Sequence, residues 1–99
     1  MLVDPALLGV AASTETAGAA TMASASAAAA PAISGILPPG CDSVSVRAAA
    51  VLNARGAETT GILADYIAMR GLFAGAIGSS GATYSAVEGI NAATAALGG

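Results

Sequence analysis

Apolar and small residues recur along this chain at alternating steps of three and four, the mark of a helix that buries one face. In the first third the row is Leu8, Ala12, Glu15, Ala19, Met22, Ser26, Ala29 and Ile33, with Glu15 its one charged member. After residue 43 it resumes as Val44, Ala48, Val51, Arg55, Thr59, Ile62, Tyr66, Met69, Phe73, Ile77, Ser80 and Tyr84. A second row of Leu52, Leu63, Ile67 and Ala74 widens that stripe. The period holds for roughly 40 residues, about 60 Å of helix. Between the two runs, Pro38-Pro39-Gly40 stops any helix, because proline lacks the amide donor and clashes with the preceding turn.

Start signals agree with these rows. Asp4 is a cap with Pro5 at the first helical position, and Asp42 or Ser43 can cap the second run. The predicted elements are helix one at about 5–37, with a kink or early end at Pro31, a turn at 38–42, and helix two at about 43–86. Residues 1–88 form one all-α domain, a long antiparallel helical hairpin. Residues 89–99 are left open between frayed helix and disorder.

Composition shows why such a hairpin needs company. Of 99 residues, 28 are Ala and 13 Gly, while Leu, Ile, Val and Phe together number 21. That is high apolar content with little apolar volume, in a chain already short for a private core. Gly56, Gly61, Gly71, Gly75 and Gly78 each cost helix two about 1 kcal/mol relative to alanine. Two helices bury one seam and leave the opposite apolar edge wet, so the hairpin is expected to dock onto another helical protein. The expected interface comprises Leu8, Met22, Ile33, Val51, Leu52, Ile62, Leu63, Tyr66, Met69, Phe73 and Ile77.

Charge and residue types exclude much chemistry. Without histidine there is no Ser-His-Asp triad, no Cys-His pair and no imidazole ligand, so no catalytic residue, metal or cofactor is expected. The lone Cys41 permits no internal disulfide and reads as an incidental turn thiol. A net charge of −3, with Arg47, Arg55 and Arg70 the only basic residues, argues against nucleic acid. No basic stretch precedes an apolar core at the N-terminus, so export is expected to use a route other than a signal peptide. Gly78-Ser79-Ser80-Gly81 fits neither a phosphate loop nor a nucleophile elbow and reads as a weak point or bend in the helix. Arg55 falls on the apolar row. It is expected to pair with a partner's carboxylate or with Glu15, because an unpaired buried charge is costly.

Tyr84 and Glu88 stand at i and i+4, on one helical face. Spacing alone fits a capping aromatic beside a solvated acid as well as a displayed recognition signal. A wider pattern adds meaning. An early proline is followed by SASAAAAPAISGILPPG, then CDSVSVRAA, then GATYSAVEG. In that order and at those separations, the chain resembles the mycobacterial PE proteins over nearly its whole length. The Pro-Glu dipeptide that names the family reads Pro5-Ala6 here.

The resemblance implies a hairpin that completes a four-helix bundle with a PPE protein as a 1:1 heterodimer. It implies export by type VII (ESX) secretion, with Tyr84 and Glu88 as the YxxxD/E secretion signal. It also implies a cytosolic chaperone that recognises the PPE partner before export, and a secreted or cell-surface destination afterwards. The alternative is a membrane-associated or pore-forming helical protein of the cell envelope. Its motives are the chargeless stretch at 16–41 and a mean hydropathy of +0.77.

Overall fold

The structure, a computed structural model, describes residues 2–98, among which there are two α-helices and no strand. α1 spans Pro5–Ser34 and α2 spans Ser43–Gly98. An aspartate starts each. Asp4 Oδ1 accepts from the Ala6 N–H at 2.9 Å, and the Asp4 carbonyl accepts from the Leu7 and Leu8 amides. At α2 the cap is Asp42. Its carboxylate accepts from the Ser45 N–H at 3.0 Å and from the Ser45 hydroxyl at 2.8 Å, which satisfies amides that have no partner inside the helix. Donation first from the Ser45 N–H and then from its hydroxyl holds the Asp42 carboxyl below the ordinary value of 3.8.

α1 ends at Ser34, earlier than the expected 37, and the reason lies in α2. The Gly35 N–H still reaches the Pro31 carbonyl at 3.1 Å. The next amide does not extend the ladder: the Ile36 N–H donates to Asn53 Oδ1 at 2.9 Å, and Asn53 Nδ2 donates back to the Ile36 carbonyl at 2.9 Å. One side-chain amide thus takes both backbone groups of a residue leaving the helix, where unmade bonds would be costly. At the other extreme, α2 continues past the expected 86 through Gly98. Residues 89–98, left open by the sequence, are helix; this segment is alanine-rich and carries no proline. Gly99 lies outside the described residues.

The chain comprises two compact units, Ala19–Met69 and Met1–Gly18 with Arg70–Gly99. In the first, the end of α1 returns through residues 35–42 into α2 as an antiparallel hairpin. α2 turns Ala49, Asn53, Gly56, Thr60, Leu63 and Ile67 inward, spaced four and three apart as in a coiled coil. Ala49 and Gly56 are buried, and a Cβ built on Gly56 would run into the Ile33 carbonyl oxygen. Backbone therefore meets backbone here, a contact open only to glycine.

In the second unit the start of α1 lies antiparallel to α2. Arg70, Ala74, Ile77, Gly78 and Gly81 are its inward positions, again at steps near four and three. A Cβ on Gly81 would lie 3.3 Å from Leu8 Cβ and 3.4 Å from the Pro5 carbonyl oxygen. Gly78 and Gly81 thus serve helix approach, and α2 passes through residues 78–81 without interruption, where the sequence suggested a weak point. Glu15 accepts from Arg70 Nε at 2.9 Å, with the two side chains 27% and 31% exposed. The partner of Glu15 is Arg70, and not Arg55, for which the sequence offered Glu15 as one of two candidates.

The seam on α2 sits one position round from the main row read in the sequence. Of the predicted residues, Leu63, Ile67, Ala74 and Ile77 lie on it; Val51, Ile62, Tyr66, Met69 and Phe73 face outward. The sequence reading followed the bulkiest side chains, whereas close helix approach selects the smallest. On α1 the row holds, with Ala30 in place of Ala29.

Three outcomes test this account. Gly56→Ala is expected to cost about 1–3 kcal/mol, as other overpacking does. Gly61→Ala, with nothing within 4 Å of its Cβ, is expected to gain up to about 1 kcal/mol; thermal unfolding followed by circular dichroism reads both. A double-mutant cycle on Glu15→Gln and Arg70→Gln should give a coupling of about 1 kcal/mol, between the values for exposed and buried pairs. Because the folded-state pKa of Asp42 is depressed, its contribution is present above 3.8 and lost as pH falls through the lower folded value. Asp42→Asn keeps an acceptor at the cap, so acid titration of helicity should lose this component in the variant while the cap at neutral pH persists.

Candidate functional site

The distinctive surface in the unit Ala19–Met69 is the outer side of α2. Val44, Val51, Leu52, Ile62, Tyr66 and Met69 are exposed there, Ile62 to 71%. In the other unit the exposed large residues on α2 are Leu72, Phe73, Tyr84, Val87, Ile90 and Leu97, joined on α1 by Leu7 and Val10. The only buried hydrophobic residues are Ala49 at 6% and Ala74 at 5%, so among the described residues no large side chain is fully enclosed. Threonine makes the surface more apolar still. The hydroxyl of Thr59 donates to the carbonyl of Arg55, and those of Thr83 and Thr94 to the carbonyls of Ser79 and Ile90. With the hydroxyl folded onto the helix in this way, the methyl is the group left to pack.

The expected interface residues therefore fall into two groups. Leu8, Met22, Ile33, Leu63 and Ile77 are half-buried on the inward rows of the two helices. Val51, Leu52, Ile62, Tyr66, Met69 and Phe73 are exposed. The chain presents 6972 Å² of accessible surface. A folded monomer of its 9.2 kDa presents about 4,900 Å². The excess, about 2,000 Å², exceeds the roughly 800 Å² that one partner contributes to a stable interface.

Tyr84 and Glu88 continue the inward row of α2, following Arg70, Ala74, Ile77 and Gly81 at the same steps. α1 stops covering that row near Pro5, which lies opposite Gly81. From Ala82 to Gly98 every residue is exposed, Tyr84 to 37%. The pair thus occupies a face built for helix packing at the point where its own covering helix has run out. Its side chains lie one turn apart and are open to another molecule.

Three features here had weak signals in the sequence. Asn53 sits within an apolar run, and only its polarity marks it. Arg70 follows the seam period from Ile67, although a charged residue does not suggest a seam. Val87, Ile90 and Leu97 lie in the segment left open between helix and disorder. Cys41 is free and exposed in the turn.

The apolar length falls in a different segment from the one read in the sequence. Among the described residues, α2 is the one helix long and apolar enough to cross a membrane by length and composition. After Arg70 its single charge is Glu88. The chargeless stretch at 16–41 is shared between α1 and the turn and forms no such helix.

Comparison with known proteins gives one family. Residues 1–91 match the PE family. The chain is 40% identical to PE family protein PE13 of Mycobacterium tuberculosis over 96 residues, covering 96% of each. It is 39% identical over 75 residues to PE family immunomodulator PE5 of the same species, covering 76% of this chain and 74% of that one. With PE family immunomodulator PE15, again from M. tuberculosis, it shares 37% over 98 residues, or 99% and 95% of the two chains. No solved structure matches the chain.

Proposed function

The chain belongs to the PE family, and on that premise we propose that it is a non-catalytic adaptor completed by a PPE protein and exported with it by type VII secretion. One observation carries the reading: most of the bulky residues of α2 face outward, while the buried positions of its seam are alanine and glycine. At about 25 cal/mol per Å² of apolar surface, a second helical pair laid along Val51, Ile62, Tyr66 and Met69 supplies burial that alanine cannot. The product is a 1:1 heterodimer in the form of a four-helix bundle. In the cytosol a secretion chaperone contacts the complex mainly through the PPE subunit. Its destination is the cell surface or the medium.

Tyr84 and Glu88 act as the secretion signal. Their exposure on α2 beyond the start of α1 supports that role, since export machinery can reach them without opening the helix pair. The Pro5-Ala6 sequence leaves the helix start intact, because Asp4 supplies the cap whatever follows Pro5.

Co-expression with a PPE protein from a neighbouring reading frame should yield a soluble helical 1:1 complex, and the chain alone should be insoluble or weakly helical. Tyr84→Ala and Glu88→Ala should each abolish appearance of the complex in the medium while leaving it intact in the cytosol. A stable, soluble monomer with export untouched by both variants would defeat the reading. Membrane association is the second reading, favoured by the apolar length of α2. It predicts that the chain partitions with detergent even when the PPE protein is present.

A further inference from the structure

Within the unit Ala19–Met69, α1 and α2 leave a groove of about 240 Å³ between them, walled by Ile33, Ile36 and Leu52 beside Gly56. Its depth follows from the glycine, since no Cβ fills the space next to the Ile33 carbonyl. Arg55 lines the same groove and is exposed. Its guanidinium has no ion-pair partner among the described residues, although Glu58 stands three positions on, within reach on the same helix.

The surroundings make this cation unusual. Val51, Leu52 and Ile62 on the same side of α2 are apolar and exposed, so whatever covers them also covers Arg55. A guanidinium taken out of water without a counter-charge costs several kcal/mol, more than neighbouring aliphatic contacts return. The volume is below the roughly 300–1,000 Å³ of small-molecule pockets and suits a side chain. A lipid surface would set the charge against acyl chains, which disfavours that occupant.

We propose that the groove receives a helix of the covering protein that seats an aliphatic side chain against Ile33, Ile36 and Leu52 and, one turn away, a carboxylate on Arg55. The inference rests on the adaptor reading above and specifies the chemistry of its partner. Planar, two-pronged pairing suits arginine in particular, so the site selects among partners that share the same apolar stripe but differ in this acid.

The test co-expresses each variant with the PPE protein and reads the apparent dissociation constant of the purified complex from its dissociation on serial dilution. Arg55→Glu is expected to weaken the complex by about 30-fold or more, as loss of a desolvated charge pair does. Arg55→Lys should retain most of the affinity, and Arg47→Glu, exposed and outside the groove, should change it less than about threefold. One Asp or Glu of the partner, changed to Arg, should restore binding to Arg55→Glu. Binding of Arg55→Glu within about threefold of the unaltered chain would overturn the pairing and leave the adaptor reading standing. Failure of the unaltered chain to bind at all would overturn both. Self-association of the chain that Arg55→Glu abolishes would assign the groove to a second copy instead.

Discussion

At Gly56 the two helices meet backbone against backbone, with the carbonyl of Ile33 where a Cβ would stand. Much of the rest depends on it. Close approach favours small residues, so Ala49, Gly56, Ala74 and Gly81 occupy the buried positions, Leu63, Ile67 and Ile77 on the same row are half-buried, and the other bulky residues of α2 face outward. A seam of this kind contributes close dispersion contacts but little removal of apolar area from water. The surface that could supply more faces away from it.

Polar groups along the seam do a different job from the apolar ones. Asn53 takes both backbone groups of Ile36 and so determines where α1 ends. Glu15 and Arg70 pair across the other unit at 2.9 Å. Alanines and glycines slide past one another at little cost, so a repeated small-residue seam specifies register poorly. A bidentate amide clamp and an ion pair have one good position each. In this respect they resemble single polar residues in coiled coils, which select one alignment at some cost in stability.

Much of the architecture was legible in the sequence because it is local. Asp4-Pro5, Pro38-Pro39-Gly40 and Asp42 mark the start of α1, the break and the start of α2 through caps and missing amides, which need no distant partner. The inward row of α1 was legible as well, since Ala and Ser dominate that helix and Leu8, Met22 and Ile33 stand out on one face. The row on α2 was read one position off, because bulk and burial part company when a chain carries two apolar faces. The candidate pair was legible in part: the spacing of Tyr84 and Glu88 put them on one face, but did not show that α1 ceases to cover that face.

The sequence by itself determined two helices, one turn, their caps, an acidic surface without imidazole chemistry and kinship with the PE family. These follow from backbone sterics, residue inventory and motif order, which do not depend on what lies opposite. Tertiary structure decided which face of α2 is inward, that Glu15 meets Arg70, that Asn53 closes α1 at Ser34, and that Arg55 stands at the edge of an apolar groove. Each of these depends on which residues the fold sets side by side across two helices. A helical period states how residues repeat around their own axis, and carries no record of the axis beside it.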